Sequence, residues 1–89
     1  MLSMQDLIDY CDLDSGEIEA VAEHEHLPMA IAAELSEVLL CTPEGVCQLH
    51  AMIIDNMQHA LDTGHEQRVL ELMRTYEHLQ RTHPLPTRH

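Results

Sequence analysis

The chain has no tryptophan, phenylalanine or lysine, and its only aromatic residues are Tyr10 and Tyr76. A core without large aromatics must be built from Leu, Ile, Val, Ala and Met, which suits helix packing better than a sheet rich in aromatic residues. Glycine occurs only at positions 16, 45 and 64, so there is no glycine-rich loop to cradle phosphate and no nucleotide site can be argued. Long apolar runs are missing too. "MAIAAELSEVLL" is interrupted by Glu34 and Glu37 and falls short of the roughly 20 residues of a membrane span. The opening "MLSMQDLIDYCDL" has no basic region leading into an apolar stretch, so no signal peptide is expected. Cysteine is limited to Cys11, Cys41 and Cys47. An odd number with no secretion signal points to the cytoplasm and reduced thiols.

Basic charge is scarce and one-sided. The chain carries 16 acidic and 4 basic residues, a formal charge of −12. All four arginines (Arg68, Arg74, Arg81, Arg88) follow residue 67, and only Glu71 and Glu77 join them there, which leaves 14 acids and no Lys or Arg in residues 1–67. Duplex binding depends on Lys and Arg displacing counterions, so direct nucleic-acid binding is not expected. The same charge repels anionic membrane surfaces. It favours a protein partner with a basic surface, where complementarity speeds encounter and sets specificity.

The 89 residues make one domain with a modest core, because a chain of this size buries only about 60–65% of its unfolded surface. Helix punctuation is dense. Ser3 with Asp6 starts a first helix over 4–11, and Asp14 with Glu17 resembles a capping box for a second over 15–26. Pro28 suits the first position of a third. Thr42-Pro43-Glu44 opens a fourth that runs to about Asp62, where Gly64 takes the left-handed C-terminal role. A fifth spans about 65–82 and stops before Pro84. The expected fold is all-α: three longer helices in a small antiparallel bundle, closed at one end by two short N-terminal helices. Residues 1–83 would form the domain and 84–89 a flexible tail.

Helical phase assigns the faces. The third helix carries Ile31, Ala32, Leu35, Val38 and Leu39 on a broad apolar face and is expected to be central. The fourth has Val46, Ile53, Ile54, Met57 and Leu61, and the fifth Val69, Leu72, Met73, Tyr76 and Leu79. Ile31, Leu35, Leu39, Ile53, Met57, Leu72 and Tyr76 are expected among the most buried residues. Leu49, Met52 and Leu70 fall off the main stripes, a possible surface for self-association into a homo-oligomer.

The stretch "AEHEHLPMA" places Glu23, His24, Glu25 and His26 in a row before Pro28. Phase puts Glu25 in line with Ile18, Val21 and Ala22, with His26 at the edge of that face and Glu23 and His24 on the surface. His50 lies within the stripe of the fourth helix, and His83 continues Leu72, Tyr76 and Leu79. Buried polar groups must be paired. One account is structural: Glu25 in a last turn open to water, His50 bonded to a backbone carbonyl, His83 complementing the helix dipole. The other gathers Glu25, His50 and His83, with His26 or Cys47, around a divalent zinc, iron or nickel ion. His59 with Asp55 and Asp62, and likewise His65 and His78, read as solvated surface. Glu23-x-x-His26 is half of a di-iron element that requires two copies. Cys41, Cys47 and His50 are off-pattern for zinc, and the thiols are expected to be small buried groups.

The run "AEHEHLPMAIAAEL", followed by "TPEG" and a terminal "THP", resembles small bacterial all-helical proteins classed as domains of unknown function. The resemblance implies a bacterial, cytoplasmic origin and carries no activity. The function expected is a small acidic, non-catalytic interaction or regulatory module that needs no cofactor. A narrower version mimics nucleic acid. The alternatives are a divalent-metal protein using Glu25, His50, His83 and His26, and an enzyme with a buried Glu–His proton-transfer pair.

Overall fold

The computed structural model describes residues 15–85. Four helices follow one another: α1 (Ser15–Glu25), α2 (Met29–Leu39), α3 (Pro43–Asp62) and α4 (Glu66–Thr82). The described residues include no strand. The expected helix over 4–11, the capping role of Asp14 and residues 86–89 of the expected tail lie outside the described residues.

Local sequence explains several of the boundaries. Thr42 caps α3: its backbone is extended, its Oγ1 accepts from the Gly45 amide at 3.0 Å, and Pro43 occupies the first helical position. Thr42 thereby satisfies one of the amides left unpaired at a helix start. At the other end of α3, Gly64 takes φ +76°, and the amides of Gly64 and His65 turn back onto the carbonyls of Leu61 and Ala60. That is the paired termination a left-handed residue permits. The end of α1 is built the same way without glycine. His26 adopts φ +57° and the Leu27 amide bonds to the Ala22 carbonyl at 2.9 Å. Pro28 stands at the N-cap of α2, one residue earlier than expected, and its carbonyl accepts from the Ala32 amide.

The core is centred on α1, not on the helix beginning at Met29. Helix α1 packs against α2, α3 and α4, whereas α2 packs chiefly against α1 and α3. Ile18, Ala20 and Val21 are fully buried, together with Ala32, Leu49, Ile53, Leu72 and Leu79. Alanines at 20, 32, 33 and 60 keep the helix axes close and let the larger aliphatic groups interdigitate. Two helices are long, at 20 and 17 residues, and two are short, at 11 each. The expectation of three longer helices fails because Pro28 and Thr42-Pro43 leave room for only three turns between them.

Several burial assignments also change. Ile31 and Val38 are exposed, because α2 turns Ala32, Ala33, Ser36 and Leu39 inward. Ile54, Leu61 and Met73 are exposed as well, and Leu35, Met57 and Tyr76 are half-buried. Leu49, read as an off-stripe surface residue, is fully buried, whereas Leu70 is exposed.

Two polar side chains enclosed by this core bond to backbone carbonyls. Ser36 Oγ donates to the Ala32 carbonyl at 2.7 Å, and Asn56 Nδ2 donates to the Ala20 carbonyl at 2.8 Å. Gly45 is buried where α3 crosses the end of α2, and a Cβ there would collide with the Leu39 carbonyl.

Chemical denaturation should rank substitutions accordingly. Ile53→Ala and Leu72→Ala should each cost about 2–5 kcal/mol, while Ile31→Ala should stay within about 0.5 kcal/mol, as exposed sites do. Gly45→Ala should also destabilise, because backbone rather than a flexible side chain blocks the new methyl group. A large cost at Ile31 would contradict the packing of α2.

Candidate functional site

Three histidine-centred arrangements tie the helices together. The first was not foreseen. Glu17, in the first turn of α1, is fully buried and accepts a hydrogen bond from His78 Nδ1 of α4 at 2.5 Å. Helical spacing could have revealed Glu17, since it stands three and four residues before the buried Ala20 and Val21. Reading it only as a capping partner for Asp14 hid that phase. His78 gave no such signal, because Thr75, Glu71 and Thr82 share its side of α4. It is half-buried, not solvated as expected.

The second arrangement centres on His50. It is 2% exposed, and its Nε2–H donates to the His83 carbonyl at 2.7 Å while Nδ1 accepts from the Tyr76 hydroxyl at 3.1 Å. The two rings also meet edge to face, with centroids 5.2 Å apart, a favoured aromatic geometry. The structural expectation for His50, a core imidazole bonded to backbone, is therefore met. Both ring nitrogens are engaged. His83 contributes its carbonyl to this contact, and its ring turns to Thr82 Oγ1 at 3.1 Å.

The third explains the "EHEH" run. His24, in the last turn of α1, bridges two carboxylates: Nδ1 donates to Glu25 Oε2 at 2.7 Å and Nε2 to Asp55 Oδ2 of α3 at 2.9 Å. Both contacts require N–H donors and so favour the charged imidazolium. The hydrogen bond from Glu25 raises the His24 pKa, partial burial opposes it, and Asp55 raises it further. Glu25 is exposed, correcting the expectation that it points inward. It is the final residue of α1, where its face of the helix has already run beyond the core. His26 is exposed and forms the left-handed turn.

Glu25, His26, His50 and His83 consequently do not form one cluster. Glu25 and His26 sit at the α1 end beside Asp55, and His50 meets the end of α4. Among the described residues no group of three or more His, Cys, Asp or Glu side chains is arranged to hold a metal ion. Cys41 and Cys47 are free and exposed, not buried as expected. Their positions flank the polar start of α3, with Cys41 Sγ near the Glu37 carbonyl at 3.4 Å.

Around these ties lies an acidic surface. An open cleft at the α1–α3 end is lined by Glu23, His24, Asp55, His59, Asp62 and Arg68, among others. Arg68 is occupied there by Glu23 at 2.9 Å and Glu71 at 3.3 Å. By contrast Glu19, Glu34, Glu37, Glu44 and Glu66 are exposed, and the ion pairs of the described residues do not involve them. No described helix is long and apolar enough to cross a membrane.

Two stability measurements follow. His78→Ala should cost about 1–3 kcal/mol, because it removes a partner from a buried carboxylate, and His59→Ala should cost much less. His24 has a raised pKa, so its contribution is complete below the ordinary value near 6.5 and fades as pH rises through the raised value. His24→Gln should therefore lower the melting temperature more at about pH 5 than at about pH 8. Equal losses at both would contradict the bridged imidazolium.

No protein-family model matches the chain, and no curated protein or solved structure shows significant similarity to it.

Proposed function

We propose that this chain is a small acidic, non-catalytic interaction module whose carboxylate face binds a protein partner with a basic surface. The observation that supports this most is the disposition of charge. From Ser15 to Asp62 the helices carry acids and no Lys or Arg. Most of those carboxylates are exposed, and Arg68 is already held by Glu23 and Glu71. Such a surface raises the local concentration of cationic partners and repels polyanions. The histidines support the non-catalytic part of the reading: His24, His50 and His78 link one helix to another, as structural ties do. A bacterial cytoplasm is the setting proposed for it, in keeping with exposed cysteines kept as thiols.

Capture of partners on the immobilised full chain, followed by a salt gradient, tests the proposal. Retained proteins should be basic and should elute between about 0.1 M and about 1 M salt, as the Debye length falls from about 10 Å to about 3 Å. Retention should also weaken in mild acid, because protonating all eight histidines would change the formal charge from −12 to −4. A tight partner indifferent to both salt and pH would contradict the reading.

A further inference from the structure

The outer side of α2 is apolar where the inner-facing pattern would require it to be polar. Ile31 and Val38, 47% and 64% exposed, stand seven residues apart with half-buried Leu35 between them in the same line. Beside them runs a shallow groove between α2 and α3, lined by Leu35 and Leu39 on one side and Ala51 and Met52 on the other. The His24–Glu25–Asp55 bridge closes one end of it. Carboxylates dominate the surroundings: Glu25 and Asp55 stand in the lining and already hold His24 between them. Glu34, Glu37 and Glu44 are exposed, and α2 and α3 contain no Lys or Arg.

We infer that this groove takes the apolar face of an amphipathic helix whose flanks carry Lys or Arg. The inference rests on the acidic-module reading and assigns it a place and a partner chemistry. An apolar strip two helical turns long, about 10 Å, matches anchors spaced i, i+3 or i+4, and i+7 on a bound helix. The acidic rim then meets the cationic flanks. Other occupants fit one half of this description but not both. A lipid surface or nucleic acid meets the apolar strip or the groove with charge of the wrong sign. A second copy docked symmetrically would oppose two acidic rims, since a two-fold interface pairs a patch with itself. Among the other exposed large apolar residues, Leu70 and Met73 on α4 neighbour both Arg74 and Glu71 in the chain and so indicate no partner of one charge, while Ile54, Leu61 and Leu85 are not part of the groove lining.

The probe is a synthetic helical peptide of about 14 residues with leucines on one face and lysines on the other, beside a scrambled peptide of the same composition. At low salt the full chain should bind the amphipathic peptide about tenfold more tightly than the scrambled one. Replacing Ile31 and Val38 together by serine should weaken that binding about tenfold. The control pair Ile54→Ser with Leu61→Ser should leave it unchanged. On the unaltered protein, amide shifts induced by the peptide should centre on residues 31–39 and 48–55, which keeps the test valid should a variant fold poorly.

If both peptides bind alike and the Ile31/Val38 change has no effect, the groove is wrong while the acidic reading stands. Binding of neither peptide at low salt would overturn both. Shifts centred on α4, loss of binding in the Ile54/Leu61 variant instead, or a dimer that the Ile31/Val38 change dissociates would each overturn the groove assignment.

Discussion

The burial of α1 is the constraint on which the rest of the structure depends. A helix of 11 residues does not persist in water on its own propensity, yet this one touches each of the other three described helices and is fully buried at four positions. Its hold comes from both chemistry and shape. Ile18, Ala20 and Val21 fill the centre. Polar ties then fix the helix along its length: Glu17 to His78 near the start, the Ala20 carbonyl to Asn56 in the middle, Glu23 to Arg68 and His24 to Asp55 at the end. Because these bonds reach two different helices, α1 fixes the relation of α3 to α4 as well as its own place.

The exposed surface follows from that arrangement. Seated on α1 and α3, helix α2 turns its small residues inward and leaves Ile31 and Val38 outside, with glutamates around them. Few cations are free to neutralise that face, since Arg68 is drawn to Glu23 and Glu71 across the other side of α1. The internal polar ties and the acidic exterior are therefore linked. His24, His50 and His78 join helices, and much of what remains outward on α1, α2 and α3 is carboxylate and scattered aliphatic groups.

Boundaries were legible in the sequence because they depend on local backbone chemistry. Thr42-Pro43, Gly64 and Pro84 each act within one turn, and the helices begin and end where those residues require. His50 was legible as well, since a stripe of apolar neighbours on both sides admits little but an inward position. Phase failed at helix ends and in α2. Glu25 continues the apolar line of α1, but the core stops before the line does. In α2 nearly every position is apolar, so the wheel gives no unique inner face, and the small residues Ala32, Ala33 and Ser36 took it because they allow the closest approach to α1. Pairings such as Glu17–His78, 61 residues apart, depend on tertiary geometry that no local pattern encodes.

Native-state hydrogen exchange tests the central role of α1 most directly. Exchange protection reports local opening free energies, from near zero at frayed segments up to the global value in the core. The account predicts that amides over Ile18–Ala22 exchange as slowly as those in the middle of α3 and α4, despite the shortness of α1, and more slowly than the outer amides of α2. Fast exchange throughout α1, with protection confined to α3 and α4, would show that the long helices stand without it and would contradict the account.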